Sequence, residues 1–323
     1  MKYVALLCAL ISAPAPALAR DPVLSLPLDC TLGESCFIQN YVDTDPSAGA
    51  ADFTCQGLSY DTHKGTDFAL MDRAAMDAGV IVRPAAPGII KALRDEMPDT
   101  GATPDLARNR YCGNGLVIDH GGGWETQYCH LKRGSLAVKL GQRVGLATAL
   151  GEVGLSGYTQ FPHLHITVRH DGKVIDPFNT DGITTCGLDD GFEDDLWAQP
   201  IPYRAGGIVS LGVASEVPAF EAIKTGNAHR EMLAQEAPAI VGWAQIFGGR
   251  AGDIVDIRVI RPDGTDLIRA APKLEKNQAR LFRAAGKRRP DAGWQPGAWR
   301  VETRLIRQGK QLEESTIEFT VMP

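Results

Sequence analysis

Seven histidines are spread over 323 residues, and three short stretches carry them in patterns that could do chemistry: HKGTD at 63–67, YCH at 128–130 and HLH at 163–165. In extended chain, residues two apart share a face. His63, Gly65 and Asp67 then point the same way, and the missing side chain at Gly65 leaves room for a cation between the other two. By the same rule His163 and His165 face one side while Leu164 turns to a core, and Tyr128 and His130 share a face with Cys129 turned away. A single histidine on a half-buried strand is ordinarily a hydrogen-bonded structural residue. Three β segments that each present a histidine, together with one carboxylate, are much less easily read as structural, and offer nitrogen and oxygen donors to a cation. The remaining histidines read as structural: His120 in a glycine-rich turn, His170 at a strand end and His229 in the second half of the chain.

These residues need rigid strands to hold them. From about Tyr60 to Phe178 short β-like runs (GLVIDH, WETQYCHL, LHITVRH) alternate with glycine-rich turns, and His120-Gly121-Gly122-Gly123 predicts a hairpin. Helical periodicity is scarce, so the expected fold is mainly β: an antiparallel sheet domain at 60–188, preceded by a disulfide-tied extension at 20–59. DDGFEDD at 189–195, with Pro200 and Pro202 after it, predicts a solvated linker at 189–202. Beyond it, Val255, Ile257 and Val259 fall on one face, as do Trp299, Val301, Thr303 and Leu305. The turns PDG and RQGK complete the pattern of a small β-sandwich of immunoglobulin-like character at 203–323. A helical piece is expected around Glu216–Gln235.

The first 19 residues combine Lys2, an apolar run from Val4 to Ile11 and the ending Ala17-Leu18-Ala19, the form of a signal peptide cleaved before Arg20. The run falls short of the roughly 18 residues a membrane span needs, and no later segment reaches that length. Six cysteines remain after cleavage: Cys30, Cys36, Cys55, Cys112, Cys129 and Cys186. An even number in an oxidising compartment predicts three disulfides, and Cys112 and Cys129 flank the hairpin closely enough to be bridged across it. Residues 20–200 carry 14 Lys+Arg against 25 Asp+Glu, while residues 201–323 carry 18 against 14. The positive second half reads either as a surface that touches an anionic polymer or as ordinary solvated surface, and no nucleic-acid partner is expected.

HxxxD, YxH and HLH occur in the order and at the spacing of the M23 family of zinc peptidases (LytM/lysostaphin type). GNGLVIDHGGGWETQYCHL, VKLGQRVG, GEVGLSG and HLHITVRHDGKVIDP also resemble that family, so the likeness covers residues 60–178. The resemblance implies one Zn²⁺ per chain held by His63, Asp67 and His165, with His130 and His163 as catalytic residues beside it. Two neutral imidazoles and a carboxylate leave such an ion a net positive charge and a fourth position for water, the pattern of a catalytic site. The ion lowers the pKa of that water toward about 7 and polarises a carbonyl, both of which peptide hydrolysis requires. The expected protein is therefore a zinc metalloendopeptidase, exported to the periplasm or beyond, that cuts peptide bonds of peptidoglycan. Other cell-wall proteins are further expected partners through the C-terminal domain. The alternatives are a non-catalytic LytM-like regulator that activates another cell-wall hydrolase, and a peptidase for other proteins. In one place the chain departs from the family: Gln160-Phe161 stand where the family has Thr-Gly. A bulky Phe161 either reshapes the substrate groove or is simple loop variation.

Overall fold

The computed structural model describes residues 21–180 and 195–323, so the signal segment and Cys186 lie outside the described residues. The first part of the chain forms β1 (Cys36–Asn40), β2 (Thr66–Leu70), α1 (Arg73–Ala78), β3 (Ile81–Val82), β4 (Gly88–Arg94), β5 (Asn114–Gly121) and β6 (Trp124–Leu131). After these come β7 (Arg143–Val144), β8 (Gly151–Glu152), β9 (His163–His170) and β10 (Lys173–Ile175). The main sheet runs in the order β1-β2-β9-β6-β5-β4-β7, with β10 folded back on β9, and every pairing in it is antiparallel. The three glycines after His120 all take positive φ, 83°, 60° and 85°, and close the β5–β6 hairpin.

Alternation along β9 explains why this strand sits at the centre. Leu164, Ile166 and Val168 are fully buried in the core, opposite Phe68 of β2 and Tyr128 of β6. His163, His165 and Thr167 occupy the other face. The extension before Tyr60 is part of this sheet: Cys36–Asn40 pairs along β2, and Phe37, Ile38 and Tyr41 are core residues. A disulfide joins Cys30 to Cys36, another joins Cys112 to Cys129, and Cys55 is also disulfide-bonded.

The second part comprises β11 (Gly207–Ala214), α2 (Phe220–Lys224), β12 (Met232–Ala234), β13 (Ala239–Gly249), β14 (Ile254–Ile260), β15 (Asp266–Ala270), β16 (Gln278–Arg288), β17 (Gly297–Arg307) and β18 (Lys310–Met322). A three-stranded sheet, β11-β13-β16, faces a five-stranded one, β12-β18-β17-β14-β15. Val255, Ile257 and Val259 with Trp299, Val301 and Leu305 fill the space between them, on the faces that period-2 alternation selects. The fold is mainly β throughout.

Two local expectations need correction. The helix expected over Glu216–Gln235 is only Phe220–Lys224; Gly226 at φ 81° follows it, and Met232–Ala234 then pairs parallel with β18. Within the stretch expected to be a solvated linker, residues 189–194 lie outside the described residues. Of the remainder, residues 198–200 and Pro202 are exposed, but Leu196, Trp197 and Ile201 belong to the first core and Leu24 N donates to Leu196 O at 2.6 Å. Three large apolar side chains just after an acidic run have enough area to be drawn out of water. The core is also continuous across the two parts, since Val209 and Phe247 of the sandwich belong to the first cluster and Phe247 lies 4.6 Å from Phe37. Among the described residues, no helix is long and apolar enough to cross a membrane.

Candidate metal centre

Neighbouring strands bring Asp67 and the histidine pair together. Asp67 of β2 lies directly opposite His165 of β9, and Ala69 opposite His163, so the carboxylate and both imidazoles share one face. His63 arrives differently. It precedes β2 in irregular chain after Thr62 at φ 64°, not on a strand as alternation suggests. It still reaches the same point, with His63 Nε2 3.2 Å from Asp67 Oδ1 and 3.1 Å from His165 Nδ1, while His165 Nδ1 is 2.8 Å from Asp67 Oδ1. Gly65 makes this approach feasible: a Cβ there would lie 2.4 Å from Ile166 O and 2.7 Å from His165 Nε2.

His130 corrects the alternation argument for its own strand. Tyr128 pairs with Ile166 on the core face and Cys129 with His165 on the site face, the reverse of the expected arrangement. By alternation His130 would follow Tyr128 into the core. Instead it takes φ 65°, a left-handed conformation that re-aims its side chain. Its ring stands 4.6 Å from that of His163 and 6.1 Å from that of His165. Its backbone is held by His130 N donating to Cys112 O (2.8 Å) and Gly154 N donating to His130 O (2.9 Å).

Outer partners fix which nitrogen of each ring faces the centre. A carbonyl can only accept, so His63 Nδ1–H donates to Tyr41 O (2.6 Å), His130 Nδ1–H to Ser156 O (2.8 Å) and His163 Nδ1–H to Phe161 O (2.9 Å). His165 Nε2 lies 3.1 Å from Thr167 Oγ1 on the outer side, which leaves Nδ1 directed inward. Asn40 Nδ2 holds the far oxygen of Asp67 at 2.9 Å, leaving Oδ1 directed inward. His63 Nε2, Asp67 Oδ1 and His165 Nδ1 are thus three acceptors aimed at one another. Among the described residues they form the group whose ligand atoms converge, all within 4.8 Å. With two imidazoles and one carboxylate, each oriented by an outer hydrogen bond, these residues fit a zinc ion.

The electrostatics agree with a cradle for positive charge. Burial alone would raise the carboxyl of Asp67, but the neighbouring His63 and His163 hold it well below the usual carboxylate range. Burial depresses His63, yet Asp67 outweighs that and pushes it up. Burial pushes His165 down, and it holds His130 well below the ordinary imidazole value, helped by repulsion from His163 and His165. His130 is therefore neutral at pH 7 and presents Nε2 as a proton acceptor.

The other histidines lie elsewhere: His120 bridges Pro87 O and Thr126 Oγ1 (2.8 Å each), His170 stacks on Trp124 at 4.3 Å, and His229 Nδ1 accepts from Val213 N. Sequence reasoning missed Asn40 and Tyr41, which sit in the segment read as irregular extension and carry no local signal. Thr167 was legible, being two residues from His165 on the same face of a strand.

With the geometry in place, comparison with known proteins is informative. The model of peptidase family M23 matches residues 61–177. This segment is a peptidase family M23 domain. The M23 domain is 31% identical over 113 residues to peptidoglycan DD-endopeptidase ShyA of Vibrio cholerae, covering 35% of this chain and 21% of that protein. An uncharacterized metalloprotease of Buchnera aphidicola is 40% identical over 67 residues, covering 21% of this chain and 17% of its own. A solved zinc-containing peptidase from Vibrio cholerae is 25% identical over 43% of this chain and 38% of its own, with a TM-score of 0.29. The chain spans about a fifth of the length of the curated relatives it matches.

Proposed function

We propose that the protein is a zinc-dependent endopeptidase that hydrolyses peptide bonds of peptidoglycan outside the cytoplasm. The observation that carries this reading is the convergence of His63 Nε2, Asp67 Oδ1 and His165 Nδ1 beside the rings of His130 and His163 within an M23 domain. The regulator alternative is not favoured, because all five side chains meet at one site. His63, Asp67 and His165 would hold the ion, which when bound supplies a Lewis acid for the scissile carbonyl and acidifies water. His130 and His163 are the catalytic pair. The neutral His130 Nε2 accepts a proton from the attacking water, and the pair returns one to the leaving amine and stabilises the developing oxyanion. Residues 60–188 would be the peptidase unit, 203–323 an accessory unit, and 1–19 the export signal. Disulfides at Cys30–Cys36 and Cys112–Cys129 suit an oxidising compartment.

The test is digestion of isolated sacculi by the mature protein with zinc, followed by muropeptide analysis. Peptide crosslinks or stems are expected to be cut, with new amine termini, and His130→Ala is expected to lose on the order of 100-fold or more in rate while retaining its zinc. Intact sacculi, in a preparation that a control enzyme digests, would rule the proposal out.

A further inference from the structure

Phe161, the residue that departs from the family pattern, is sandwiched. On one side its ring stacks 4.5 Å from that of His163. Against it, at 4.8 Å from the ring centroid, stands the guanidinium of Arg280, which belongs to β16 of the C-terminal sandwich. The same guanidinium lies 5.4 Å from the centroid of Phe37. Its strand is fastened at this point, because Gln39 Nε2 donates to Ala279 O at 3.1 Å, and Arg280 pairs in register with Phe247, which itself packs on Phe37.

This cation is poorly compensated. Arg280 is half-buried; among the described residues its enclosed Nε has no hydrogen-bond partner, and Nη2 makes one long contact, 3.5 Å, to Leu70 O. Among the described residues no carboxylate pairs with it. Asp72, the carboxylate that bears on it, accepts from Ala75 N as the cap of α1. Burial pushes the guanidinium down to about 10, still charged at neutral pH. Two aromatic faces give back part of the lost hydration, but an enclosed cation without an anion retains a strong demand for one. Here the sandwich places a charge beside the ring that stacks on His163.

We propose that Arg280 is a specificity-determining residue of the peptidase site, reading a free carboxylate on the peptide substrate across the plate formed by Phe161. This rests on the peptidase reading and deepens it. Extended peptide advances about 3.3 Å per residue, so a group one ring beyond His163 is met two or three residues from the bond being cut. Stem peptides carry free carboxylates that can be amidated, and the guanidinium fork donates two parallel bonds to a carboxylate that a neutral carboxamide does not reproduce. The C-terminal sandwich is thereby part of the substrate groove.

The experiment measures kcat/KM and, by calorimetry, Kd for paired stem peptides that differ only in carboxylate against carboxamide, using the full mature chain and its Arg280→Gln and Arg280→Lys variants. Wild type should prefer the carboxylate peptide by about 10- to 100-fold. Arg280→Gln should erase that preference, chiefly through KM for the carboxylate peptide, and Arg280→Lys should keep part of it. Equal losses on both peptides in Arg280→Gln, or no preference in wild type, would overturn the proposal and leave Arg280 as packing. Cleavage of neither peptide by wild type would instead sink the peptidase reading, and the binding preference then decides the role of Arg280 by itself.

Discussion

Gly65→Ala isolates the geometric requirement of the metal centre in one methyl group. Gly65 lies outside the left-handed region, so alanine is conformationally allowed and the effect is steric. The added Cβ would sit 2.4 Å from Ile166 O and 2.7 and 2.8 Å from Nε2 and Cε1 of His165, about 1 Å inside ordinary van der Waals contact. Ile166 cannot yield, because it is paired on both sides, with Thr66 of β2 and Tyr128 of β6. The chain at residue 65 and the imidazole of His165 must move instead, and metal–ligand distances tolerate only about 0.2 Å. Overpacking should lower stability by about 1–3 kcal/mol, leaving the protein folded. Displacing the ligand should weaken zinc binding by at least about 10- to 100-fold, as for changes that misorient a ligand. Zinc affinity, measured by competition with a chromogenic chelator, and urea unfolding of the metal-free protein separate the two effects. Gly57→Ala, where a Cβ meets nothing within 4 Å, is the control. A Gly65→Ala protein with unchanged zinc affinity would refute the assignment of His165 as a ligand.

Two further outcomes follow from features around the site. Asp176 is buried with Oδ1 accepting from Phe178 N and Oδ2 without a partner among the described residues, and burial, against the Phe178 amide and with help from Asp52, pushes its carboxyl up to about 7. A carboxyl protonated in the fold but ionised in the unfolded chain makes stability fall as pH rises from about 4 to about 7, by an amount on the order of 4 kcal/mol. Asp176→Asn should flatten that slope and be the more stable protein at pH 8, as read by urea unfolding across pH; a steeper slope would contradict this account. Removing the Cys112–Cys129 bridge by paired serine substitutions should cost about 2–4 kcal/mol. It should also reduce turnover more than zinc affinity, because Cys112 O anchors the amide of His130; unchanged turnover would remove the bridge from the account of the site.

Much of the centre was legible because it rests on local rules. HxH on a strand and Asp67 in the next strand need only period-2 alternation and a common face, and β9 obeys that rule through Thr167. The places where alternation fails are the informative ones. His63 lies in irregular chain before the strand, and His130 escapes the core side only through a positive φ, a conformation that no residue type at 128–130 announces. Asn40 and Tyr41, which orient Asp67 and His63, lie more than twenty residues upstream in a segment whose pairing with β2 has no period of its own.

The sequence by itself determined the chemistry on offer: which donors exist, that a glycine must stand between two of them, that strands would carry them, and that the second half would bury Val255, Ile257, Val259, Trp299, Val301 and Leu305 against one another. Those are properties of side chains and of neighbours two residues apart. Tertiary structure alone decided which atoms meet. It chose the tautomers through carbonyls at Tyr41, Ser156 and Phe161, turned Cys129 toward the histidines and Tyr128 away, and set Arg280 of a distant strand over Phe161. Such contacts join residues separated by tens to hundreds of positions, and only the closing of sheets around a shared core brings them within hydrogen-bonding range.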